Sequence, residues 1–108
     1  MKNRIVILGA GQSGVGAAIL GKKKGYEVFV SDIKEIDQDL QDFLNQEGIQ
    51  WEAGKHSINT IKAADFIIKS PGISTDSDII KDINNDSRSA EVIANKKILN
   101  AIKGFQIL

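Results

Sequence analysis

At 108 residues, with 42% hydrophobic and 26% charged residues, the chain has the make-up of one small globular domain or a piece of a larger protein. Its 14 Lys and Arg balance 14 Asp and Glu, so no bulk charge draws it to nucleic acid or to an anionic membrane. It has no cysteine, which excludes disulfides, thiolate metal sites and cysteine nucleophiles and accords with a reducing cytoplasm.

No stretch approaches the length of a bilayer span, and the N-terminal apolar run is too short for a signal peptide, so a cytoplasmic location is expected. Arg4 to Leu8, RIVIL, is an unbroken apolar run rich in β-branched residues, the pattern of a parallel strand buried on both faces. Glycines follow at Gly9, Gly11 and Gly14, spaced G-x-G-x-x-G, and Ser13 to Lys24 then reads as a helix closed by lysines and Gly25. Gly9 would permit the tight turn, Gly11 a close approach to ligand, and Gly14 close packing of helix on strand. Bare N–H groups in that first helical turn would face an anion such as a diphosphate.

Glu27 to Ser31 predicts a second strand. Asp32 at its end, about twenty residues after the glycines, completes a nucleotide-binding fingerprint. Asp37 to Gln46 reads as a helix with Leu40, Phe43 and Leu44 on one face and Gly48 as its stop. Ile49 to Glu52 is a short third strand and Ala53 to Ser57 a loop, with Ser57 capping a helical piece through Lys62. Asp65 to Lys69 is a fourth buried strand, ended by Ser70-Pro71-Gly72 because proline breaks the ladder. Asp76 to Asn84 is amphipathic, with Ile79, Ile80 and Ile83 inward. In the remainder, Val92, Ile93, Leu99 and Ile102 fit a helix, whereas Glu91 to Ile93 and Phe105 to Leu108 also fit strands.

Strands alternating with helices predict an α/β fold: a Rossmann-like doubly wound sheet of four to five strands, mostly parallel, with helices on both faces. Residues 1–83 form the nucleotide-binding domain, and residues 84–108 an atypical C-terminal tail of the same domain. Ligands bind such sheets at the carboxyl ends of the strands. Three loops leave there: Gly9 to Gly14, Asp32 to Lys34, and Ser70 to Gly72.

The fingerprint does not choose the nucleotide. Asp32 suits the ribose hydroxyls of NAD, the N–H of a uracil ring, or a plain turn aspartate. A second glycine motif, G-x-x-x-x-G-K over Gly16 to Lys22, lies inside the predicted helix and has Lys23 where a phosphate loop needs Ser or Thr, so it is set aside. His56 stands without a second histidine or clustered acid and reads as a surface-loop residue. Trp51 reads as a partly buried aromatic at a strand end. No nucleophile–base pair, metal cluster or cofactor site emerges, so the chain is expected to hold a nucleotide without performing chemistry.

Taken together, VILGAGQSGVGAA, VFVSD, GIQWEAGKH and AADFIIKSPGIS resemble the N-terminal domain of the Mur ligases, nearest to their D-glutamate-adding branch. The resemblance covers about residues 3–83. It implies a cytoplasmic three-domain enzyme of peptidoglycan synthesis. Such an enzyme uses ATP and magnesium to make an acyl phosphate that the amine of D-glutamate attacks. It further implies that this domain holds UDP-N-acetylmuramoyl-L-alanine by its UDP moiety. Gln12, Ser13 and Gly14 would donate to the diphosphate, with Gly11 beside them in the UDP site. Asp32 would accept from uracil, with Ile33 and Lys34 beside it, and Ser70, Pro71 and Gly72 would form the other wall. No central ATPase or C-terminal domain matches this sequence, and Asn84 to Leu108 departs from the family's pattern. The chain alone is therefore expected to be inactive, with ATP and magnesium belonging to the full-length parent. Two other readings stay open: the NAD-binding domain of a dehydrogenase or regulator, and a degenerate interaction domain.

Overall fold

A computed structural model describes residues 3–70, 77–84 and 106–107, with backbone only at 12, 13, 84, 106 and 107. Four parallel strands run as β1 (Arg4–Leu8), β2 (Glu27–Asp32), β3 (Gln50–Ala53) and β4 (Phe66–Lys69). A short antiparallel β5 (Gln106–Ile107) pairs with β4, giving the order β3-β2-β1-β4-β5. The intervening helices are α1 (Gln12–Lys23), α2 (Gln38–Gln46), α3 (Ile58–Lys62) and α4 (Asp78–Asn84). This is the Rossmann-like sheet that the alternation predicts.

Strand pleating sends alternate β1 residues to opposite faces, and the buried side chains divide accordingly. Ile5 and Ile7 join Val28, Val30 and Ile68 under α1 and α2, where Val15, Ala17, Ala18 and Leu44 complete the packing. Val6 and Leu8 join Ile67 on the other face, against Ile61, Ile80 and Ile83 of α3 and α4. Helices therefore cover both faces. The small residues of α1 let it lie close: a Cβ built at Gly21 would stand 3.2 Å from Val28 Cγ2.

Element ends move by one or two residues, for visible reasons. Asp65 precedes β4 because it brackets the start of β1, its carboxylate accepting from Arg4 N at 2.7 Å and its own N–H donating to Arg4 O at 2.9 Å. Ile49 precedes β3 because its N–H still closes α2, on Leu44 O. Ser57 stands at the N-cap of α3 without capping it, since its hydroxyl goes to Glu52. The helix and strand alternatives over 90–102 fall outside the described residues, whereas 106–107 form β5. The GxxxxGK segment lies wholly within α1, as a helix and not a loop.

Chain order puts β2 on one side of β1 and β4 on the other, so the loops after β1 and β4 part company at that point. A crevice at such a switch, outside the carboxyl ends of the strands, is where open α/β sheets take ligands.

Candidate functional site

The turn after β1 is built by its glycines. Gly9 has φ 108°, a conformation that side chains resist, and its N–H donates to Ser31 O at 2.9 Å. Gly14 lies so near that a Cβ there would sit 2.0 Å from Gly9 O. Gly11 is the N-cap of α1 in extended conformation, brings no side-chain cap, and would carry a Cβ with no atom within 4 Å. The first helical bond runs from Val15 N to Gly11 O at 3.0 Å. The amides of Gln12, Ser13 and Gly14 precede it and so have no acceptor within the helix. With no acid in the first turn and no side-chain cap among the described residues, α1 presents a positive end.

Asp32 is already at work. One carboxylate oxygen accepts from Ala10 N at 2.9 Å, tying the glycine turn to the end of β2. The other accepts from Lys34 N at 2.9 Å, an Asx turn that folds the β2–α2 loop back on itself. A carboxylate has about four lone-pair positions, so each oxygen keeps room for a further donor. Ile33, beside it, is 58% exposed although strongly apolar. Lys34 is exposed, and its carbonyl accepts from Gly54 N at 3.2 Å. Ser70 is half-buried, its N–H donating to Leu8 O at 2.9 Å. The fold thus brings Gly11 to Gly14, Asp32 to Lys34 and Ser70 to one edge of the sheet. Pro71, Gly72 and the side chains of Gln12 and Ser13 lie outside the described residues.

Sequence reasoning missed a polar cluster beside this edge. Ser31 is fully buried, and its Oγ lies 2.6 Å from His56 Nδ1 and 2.7 Å from Glu52 Oε1. Glu52 also accepts from Ser57 N at 2.6 Å and Ser57 Oγ at 2.5 Å. His56 is therefore a half-buried, hydrogen-bonded residue and not a plain surface one. Lys69 is also buried, at 3% exposure, with Nζ donating to Ser70 O at 3.2 Å. The available signal was polarity at Ser31 and Lys69 within otherwise apolar strands. Trp51 is partly buried as expected, its Nε1 donating to Asn45 Oδ1 at 2.9 Å.

Burial pushes the Glu52 carboxyl up, but hydrogen bonds from the Ser57 hydroxyl and amide and from Ser31, with the Lys55 charge, outweigh it and hold the group below 4.5. Burial pushes His56 below 6.5, and the negative charges of Glu52 and Asp32 only partly offset it. Both groups thus release their protons more readily folded than unfolded. Their stabilisation is complete above the unfolded values of 6.5 and 4.5 and is lost as pH falls through the lower folded ones. The melting temperature should therefore fall on acidification, His56 giving way first and Glu52 after it. Melts between about pH 7 and pH 4 test this: Glu52→Gln should remove the part of the loss near pH 4.5 and keep or steepen the part below pH 6.5, since the Glu52 charge no longer offsets burial at His56.

Among the described residues, no three His, Cys, Asp or Glu side chains group as metal donors, and no helix is long and apolar enough to cross a membrane. A cleft lined by Lys22, Tyr26, Gly48 and Ile49 lies toward the opposite, amino-terminal end of β2 and shares no residue with the edge described above.

Residues 4–79 match the family described as MurD N-terminal domain. The UDP-N-acetylmuramoylalanine--D-glutamate ligase of Bacteroides thetaiotaomicron is 53% identical over 77 residues, 71% of this chain and 17% of that protein. The enzyme of the same name from Cytophaga hutchinsonii is 49% identical over 94 residues, 87% of this chain and 20% of that protein. The chain therefore spans about a fifth of the length of these curated relatives. With the family match covering most of its residues, and the glycine turn, Asp32 and Ser70 all inside the matched span, the chain belongs to the MurD N-terminal domain family.

Proposed function

We propose that this chain holds the UDP end of UDP-N-acetylmuramoyl-L-alanine for a peptidoglycan-forming amide ligase of the cytoplasm. The observation that carries the reading is the meeting of the positive α1 terminus and Asp32 at the switch point of the sheet. The first-turn amides of Gln12, Ser13 and Gly14, which have no acceptor within the helix, receive the diphosphate. Asp32, with both oxygens aimed by Ala10 and Lys34, accepts the uracil N–H, and exposed Ile33 offers an apolar surface to the ring. Half-buried Ser70, just past β4, stands on the opposite wall. ATP and magnesium would supply carboxylate activation in the whole enzyme. The described residues offer no metal donor group, and no activation or amide-forming step is assigned to them. On this reading the chain alone forms no amide, and ATP-dependent product from it would contradict the proposal.

Calorimetric titration with UDP, UDP-N-acetylmuramoyl-L-alanine, NAD and NADP tests the ligand class. Uridine compounds should bind with high-micromolar to millimolar affinity, about 4 to 6 kcal/mol, and the nicotinamide nucleotides more weakly. Tighter binding of NAD would replace this reading with a dehydrogenase-type one. Gly11→Ala separates folding from binding, because its Cβ would have no atom of the described residues within 4 Å. It should cost under about 1 kcal/mol of stability. A methyl group where the diphosphate must approach should nevertheless weaken UDP binding about tenfold, worth about 1.4 kcal/mol.

A further inference from the structure

The Ser31 cluster connects the two halves of the site. The Ser31 carbonyl takes the Gly9 N–H of the glycine turn, while its hydroxyl meets His56 and Glu52 from β3 and the following loop. That loop reaches back through Gly54 N, 3.2 Å from Lys34 O, to the segment that Asp32 organises. A buried hydroxyl has one proton to give. Glu52 is an ionised acceptor only 2.7 Å away, so the Ser31 proton goes to it. Nδ1 of His56, at 2.6 Å, must then be the donor to Ser31 Oγ. The order of donation is His56 Nδ1–H to Ser31, and Ser31 O–H to Glu52. Full burial of Ser31 keeps this array, which superficially resembles a hydrolytic triad, from presenting a nucleophile.

We propose that His56 is a positioning residue of the nucleotide site, holding the β3–α3 loop, through an Nδ1–H bond to Ser31, where Gly54 can fix Lys34. This role rests on the nucleotide reading above. It is independent of the ring's charge, because Nδ1 carries a proton in both the required tautomer and the imidazolium.

Two substitutions separate the ring's atoms. His56→Asn can place an N–H at the Nδ1 position, whereas His56→Gln places its amide near Nε2. In ligand-free wild type, 15N spectra should show a protonated Nδ1 and an unprotonated Nε2 at neutral pH. The amide resonances of Lys34 and Gly54 should move in His56→Gln and stay near their places in His56→Asn. UDP affinity should fall about five- to tenfold in His56→Gln and His56→Ala, the loss expected for one hydrogen bond, and stay within about twofold in His56→Asn. A protonated Nε2 with bare Nδ1, wild-type UDP affinity in His56→Ala, or equal losses in the Asn and Gln variants would overturn the role while leaving the nucleotide reading intact. Wild-type protein that ignores UDP would overturn both.

Discussion

Gly14→Ala is expected to destabilise the fold by about 3 kcal/mol or more, at or beyond the upper end for overpacking. The added carbon would stand 2.0 Å from Gly9 O and 3.0 Å from Gly9 C. These are backbone atoms with no rotamer to escape into. Moving them would disturb a turn at φ 108° whose N–H is bonded to Ser31 O. For a domain of this size, each kcal/mol lowers the melting temperature by about 4 to 8 °C, so a fall of at least roughly 12 °C should be measured. Gly16→Ala is the internal control. Its Cβ meets nothing within 4 Å and it lies exposed within α1, so alanine should be neutral or stabilise by up to about 1 kcal/mol. Wild-type stability in Gly14→Ala would contradict the close approach of α1 to the turn.

Asp32→Ala should act on binding and stability together. The carboxylate satisfies the N–H of Ala10, a residue only 6% exposed, and the N–H of Lys34 in the open loop. Removing it leaves the Ala10 donor unpaired, a loss of about 1 to 3 kcal/mol visible in urea unfolding. It also frees the loop and deletes the acceptor assigned to uracil, so UDP affinity should drop at least about tenfold. Asp32→Asn keeps one carbonyl oxygen and should recover part of the stability but little of the binding. An Asp32→Ala protein that binds UDP like wild type would leave Asp32 as a turn residue alone.

The sheet was legible because its strands are dense in apolar residues. Ile5 to Leu8 are all at 0% exposure, and a run of that kind has few other places to go. Gly9, Gly11 and Gly14 were legible for a different reason, since each spacing answers a separate steric need at a strand–helix turn. Element ends were harder to place because a side chain can claim the boundary, as Asp65 does by accepting from Arg4 N. The inner role of Asp32 was hidden. A carboxylate at a strand end announces an acceptor, but which donors it takes depends on Ala10, 22 positions away. His56 illustrates the same limit. Its partner Ser31 lies 25 residues earlier, a separation with no periodic signature, so only the register of β2 against β3 reveals that they meet.

The most direct test of the account follows the backbone amides of the first turn of α1 by 1H–15N NMR as UDP is added. The largest shifts should fall on Gln12, Ser13 and Gly14, with a second group at Asp32 to Lys34, and saturate together as one binding event. Undisturbed resonances there, or shifts gathered instead around Lys22 and Gly48 at the other end of the sheet, would contradict it.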